Sequence, residues 1–102
     1  MIALLKAKLN EIEALCSRYG VARLEVFGSA LREDFQADRS DLDLLVELKP
    51  MQPYARVEAY FGLLDALRAL LHQDIDLVMA GAVKNPYISQ EIERTKQLLY
   101  AA

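Results

Sequence analysis

The sequence predicts an α/β (α+β) domain, a small mixed β-sheet packed with helices, and three observations lead there. Short apolar runs that alternate with polar residues occur at 24–27, Leu42–Leu48 and Ile75–Met79. Stripes of apolar residues at steps of three and four separate them. Alternation marks strands and the 3–4 step marks amphipathic helices, so interleaving the two points to helices laid against a sheet. At 102 residues the chain is expected to be one domain, residues 1–102; that size buries roughly 60–70% of its unfolded surface around a single core.

Each element has its own signal. Ile2, Leu5, Leu9, Ile12, Cys16 and Tyr19 form one helical face, ended by Gly20. Cys16 is the only cysteine, so no internal disulfide can form, and its place on that stripe reads as a small buried hydrophobe. A strand over 24–27 runs into Gly28-Ser29, and 30–39 reads as a short helix plus a polar loop. The run Leu42–Leu48 is the second strand. Pro50 and Pro53 punctuate the next connection, and Pro53 can open a helix. Val57, Tyr60, Leu64, Leu67 and Leu71 give that helix its stripe, with His72 at its end. Ile75–Met79 is the third strand. Asn85-Pro86 reads as N-cap and first helical residue. Ile88, Ile92 and Leu99 then fall on one face of a last helix, with Thr95 between. The expected order is α-β-α-β-α-β-α.

Chemistry concentrates on the second and third strands. In the second, Asp41, Asp43, Leu45 and Glu47 share one side, and Leu42, Leu44, Val46 and Leu48 share the other. The α-carbons of Asp41 and Asp43 would lie roughly 6.5–7 Å apart, two strand rises. Carboxylates at that spacing can both reach a pair of Mg²⁺ ions, which sit about 3.5–4 Å apart in two-metal sites. In the third strand Ile75, Leu77 and Met79 alternate against Asp74, Asp76 and Val78. If the two strands are neighbours, Asp76 completes a three-carboxylate set, whose mutual repulsion a cation would relieve. The Gly28-Ser29 turn frees backbone N–H groups to hold phosphate oxygens. Together these point to metal-assisted phosphoryl or nucleotidyl transfer.

Composition narrows the partners. Between Glu25 and Glu47 stand seven acids and two bases, a local balance of −5, within a net charge of −3. That suits cations and argues against direct contact with a nucleic-acid backbone. No apolar stretch reaches the roughly 20 residues of a membrane helix, and the N-terminal segment alternates charged and apolar residues unlike a signal peptide. No membrane association and a cytoplasmic location are the expectations.

Gly28, Ser29, Asp41, Asp43 and Asp76, in this element order, resemble the DNA polymerase beta-like nucleotidyltransferase superfamily, and its minimal members most of all. Arg32, in Gly-Ser-x-x-Arg, and the tail Lys84-Asn85-Pro86, Ile92-Glu93-Arg94 and Leu99-Tyr100 extend the resemblance over nearly the whole chain. It implies that fold, with Asp41, Asp43 and Asp76 as catalytic and metal-binding residues, two Mg²⁺ ions, and ATP as substrate. Gly28, Ser29, Arg32 and Ser40 would be the nucleotide-binding residues. Minimal nucleotidyltransferases of this kind are antitoxins of HEPN/MNT toxin–antitoxin pairs, which transfer AMP to a tyrosine of the HEPN RNase toxin. A hetero-oligomer with a HEPN-type toxin is therefore implied. One departure is that residues 30–40 number eleven where ten are usual. The extra residue falls in a polar loop, where insertion costs little. Two other readings are an antitoxin that neutralises by binding alone and a subunit of a small-molecule nucleotidyltransferase of the antibiotic-modifying sort.

Overall fold

The computed structural model describes residues 3–28 and 41–102. The helix expected over 30–39, together with Ile2, Ser29, Arg32 and Ser40, lies outside the described residues.

The first helical stripe is carried by α1 (Ala3–Ala7) and α2 (Leu9–Arg18) in place of one continuous helix. Lys8 leaves helical geometry, with φ −108° and ψ 12°. Its N–H still bonds the Leu4 carbonyl at 3.2 Å, and its carbonyl accepts from the Ile12 N–H at 2.9 Å. The stripe therefore continues across the break, and Leu5, Ile12 and Cys16 are all buried.

Among the described residues, four strands form one sheet in the order β3-β2-β1-β4. They are β1 (Val21–Phe27), β2 (Leu42–Leu48), β3 (Ile75–Met79) and β4 (Gln97–Ala101). β1 pairs antiparallel with β2 and β4, whereas β2 pairs parallel with β3. A parallel pair needs a long crossover, and α3 (Pro53–Leu71) supplies it. β1 starts three residues before the expected strand, because Val21 is buried in the core and pairs with Leu48. Its Ala22 carbonyl also accepts from the Ala102 N–H at 2.9 Å.

One face of the sheet is the core. Leu24, Val26, Leu42, Leu44 and Val46 are completely buried there, beneath Leu63 and Leu67 of α3. α2 and α3 pack closely on each other: a Cβ on Gly62 would come within 2.6 Å of the Tyr19 ring. α3 also covers the free edge of β3. The Tyr60 hydroxyl donates to the Leu77 carbonyl at 2.6 Å and the Arg68 guanidinium donates to the Ile75 carbonyl at 3.3 Å. Such cover blunts an edge that would otherwise invite pairing with another chain. His72 closes α3 in the left-handed conformation, φ 51°.

The C-terminus corrects the expected order. α4 spans Pro86–Thr95, with the Asn85 side chain capping the N–H groups of Tyr87 and Ile88 as expected. It stops there: Lys96 is extended, and Gln97–Ala101 becomes β4 against β1. The step from Thr95 to Leu99 fits both a helical face and a strand alternation. The otherwise unpaired edge of β1 selects the strand and buries Leu99. Among the described residues no helix is long and apolar enough to cross a membrane.

Candidate active site

Parallel pairing sets the site's geometry. Leu42 and Leu44 on β2, and Ile75 and Leu77 on β3, point into the core. Alternation therefore turns Asp43 and Asp76 to the opposite face. The register makes them direct partners, Asp43 beside Asp76; neighbouring strands run about 4.8 Å apart. Asp41 is exposed just before β2, on the same side by alternation. The Leu42 N–H donates to the Asp74 carbonyl at 3.0 Å, which fixes the register where the acids lie. The expected adjacency of the two acid-bearing strands is thus present.

Gly28 approaches the same carboxylate from β1. It comes directly after Phe27, the antiparallel partner of Asp43. Its φ is +72°, and a Cβ built on it would lie 2.5 Å from Asp43 Oδ2. Only glycine gives that conformation without strain and leaves that space open. Ser29, Arg32 and Ser40 lie outside the described residues.

Among the described residues, no three His, Cys, Asp or Glu side chains converge into a cage that could hold a metal on their own. Mg²⁺ seldom asks for one: it is usually bound through one or two carboxylates, with waters and substrate phosphates completing the shell. The all-oxygen donor set of Asp41, Asp43 and Asp76 and the space kept open by Gly28 fit such an ion.

Farther along the same face the structure brings together residues that sequence reasoning passed over. Glu25 is a buried carboxylate, paired with Arg23 Nε at 3.2 Å and Lys96 Nζ at 3.4 Å. Lys96 also meets Glu93 at 2.9 Å. The hydrogen bond to Glu93 holds its pKa above the usual lysine value; burial opposes it, and the charge of Glu25 adds to the rise. A cavity of about 260 Å³ opens beside this cluster, floored by Leu45 and roofed by Ser89 and Ile92 of α4. The one local clue is that Arg23 and Glu25 share the polar side of β1. Lys96 reaches them only because β4 pairs with β1.

Residues 10–99 match the nucleotidyltransferase domain family. This chain belongs to that family. It is accordingly a nucleotidyltransferase. A Methanocaldococcus jannaschii protein named "putative protein adenylyltransferase" is 41% identical over 86 residues, covering 84% of this chain and 82% of its own length. A solved structure described as a "putative minimal nucleotidyltransferase" superposes with a TM-score of 0.76 at 30% identity, covering 94% of this chain and 95% of its own. The fold also matches a chain of a solved complex described as "tri-AMPylated Shewanella oneidensis HEPN toxin in complex with MNT antitoxin". That match has a TM-score of 0.57 at 22% identity and covers 95% of this chain and 72% of the other.

Proposed function

We propose that this chain, acting as a single domain over residues 1–102, is the antitoxin of a HEPN/MNT pair. It transfers AMP from ATP to a tyrosine of a HEPN-type toxin in a Mg²⁺-dependent reaction. One observation carries the reading most: Asp43 and Asp76 are register partners on the open face, with Gly28 against Asp43. The 41% identity to a relative named "putative protein adenylyltransferase" supports a protein acceptor, as does the acidic setting of the site.

Asp41, Asp43 and Asp76 would hold two Mg²⁺ ions, whose charge would neutralise the phosphates and lower the pKa of the acceptor hydroxyl. Backbone N–H groups at Gly28 and Ser29 would hold the outer phosphates, and Arg32 and Ser40 would bind the nucleotide. The acceptor hydroxyl gives its proton to a carboxylate of the cluster as its oxygen bonds to the α-phosphorus. The bond from that phosphorus to the departing diphosphate breaks in the same displacement. Catalysis here is positioning and charge compensation. The toxin then sits in a hetero-oligomer with this chain, and no nucleic acid contacts it directly.

The test is the intact mass of a HEPN-type toxin from the same genome after incubation with this chain and ATP. With Mg²⁺ the mass is expected to rise in steps of one AMP, and with chelator it should not change. An unmodified toxin under both conditions refutes the reading.

A further inference from the structure

In-line transfer constrains where the acceptor comes from. Attacking and leaving oxygens lie on opposite sides of the phosphorus. Three landmarks fall in order along the open face. Gly28 lies at one end, Asp43 and Asp76 are next, and then comes the register pair Glu25 and Leu45. Leu45 is two strand rises beyond Asp43, roughly 6.5–7 Å. With the departing diphosphate on the Gly28 side, the acceptor must arrive over Leu45, and the cavity of about 260 Å³ under α4 opens there.

We infer that this cavity seats the acceptor polypeptide, taking a basic side chain that neighbours the modified hydroxyl. The inference rests on the nucleotidyl-transfer reading above. Size and charge both favour it. The cavity falls below the roughly 300–1,000 Å³ of pockets that enclose drug-sized ligands, so it suits one side chain better than a nucleotide. Leu45 and Ile92 give its lining an apolar part that would pack the stem of such a side chain. Its charged lining is Glu25, Glu47 and Glu93 against Arg23 and Lys96, a net −1. Glu25 and Glu93 are matched by those two cations. Glu47 has no ion-pair partner among the described residues, and it is exposed at the mouth. An acceptor that brings a Lys or Arg to Glu47 completes the balance.

Two tyrosine peptides, identical except for Arg or Glu two residues from the tyrosine, test this with ATP and Mg²⁺. Transfer is read by mass and ATP binding by calorimetry. Wild type should modify the Arg peptide at least about tenfold more efficiently, worth one 1.36 kcal/mol step. Glu47→Lys should abolish or invert that preference. Ser89→Trp, which fills the roof from an accessible helix position, should raise the peptide KM with ATP affinity unchanged. Equal or absent modification of both peptides by wild type overturns the inference, as does a preference that survives Glu47→Lys. Weakened ATP binding in either variant overturns it too and makes the cavity a nucleoside subsite. If wild type binds no ATP, the transfer reading itself has failed, a result separate from ATP binding without peptide preference.

Discussion

The two faces of the sheet differ in what they owe to folding. On the helix-backed face, Leu24, Val26, Leu42, Leu44 and Val46 are completely buried and give the chain its core. On the other face, the same strands carry Glu25, Asp43, Leu45 and Glu47, with Asp76 and Val78 beside them. One strand thus serves two ends, with adjacent residues assigned to opposite tasks by a period of two. The contrast teaches that the acids can serve chemistry because the leucines between them already hold the strand in place.

Substitutions at neighbouring positions can break this division, and the largest effect is expected at Asp43. Asp43→Ala should slow AMP transfer about a thousandfold or more, at 1.36 kcal/mol per decade, while stability falls by less than a core truncation costs. Single-turnover rates and a urea melt on the same sample would show both. Large unfolding by this variant would mean the open face is structural after all. One residue along, Leu44→Ala should do the reverse. Truncation of a buried leucine costs about 2–5 kcal/mol, read as a lower urea midpoint, with transfer per folded molecule preserved.

Gly28→Ala sits between these extremes. Its Cβ would meet Asp43 Oδ2, and the left-handed backbone would be strained by about 1–3 kcal/mol. A loss of transfer of at least about tenfold with this modest destabilisation is expected. Unchanged transfer would show that the close approach does not matter.

A smaller effect sharpens the buried side. Burial, and secondarily Glu13, pushes the Cys16 thiol up from 9.0 to about 12. A group whose pKa is raised on folding contributes stability below its unfolded pKa and loses it as pH rises toward the folded value. Wild type should therefore lose about 1 kcal/mol between pH 9 and pH 10 that Cys16→Ala does not lose. Parallel pH profiles for the two proteins would show that this side of α2 is not dry.

Legibility in the sequence depends on the range of each interaction. Face assignment is local, so alternation placed Asp43 and Asp76 correctly, and their adjacency needed only neighbouring strands. Asn85 was legible as a cap because capping is settled within three residues. β4 was not, since Leu99 satisfies both periods and the edge of β1 that decides between them is some seventy residues away in the chain. Glu25 with Lys96 was hidden for the same reason. Ser29, Arg32 and Ser40 keep the roles that the resemblance implies, as proposals.

The most direct test of the division between faces is a thermal melt of wild type and of Asp41→Asn with Asp43→Asn, each with and without Mg²⁺ and a non-hydrolysable ATP analogue. Ligand at a hundredfold over its Kd stabilises a protein by about 2.7 kcal/mol. Wild type should gain roughly ten degrees from the pair of ligands. The double variant should stay folded, melt without ligands within a few degrees of wild type, and gain nothing from them. An equal gain in both proteins would place metal and nucleotide away from these carboxylates. An unliganded double variant that melts far lower would place the acids among the residues that hold the fold.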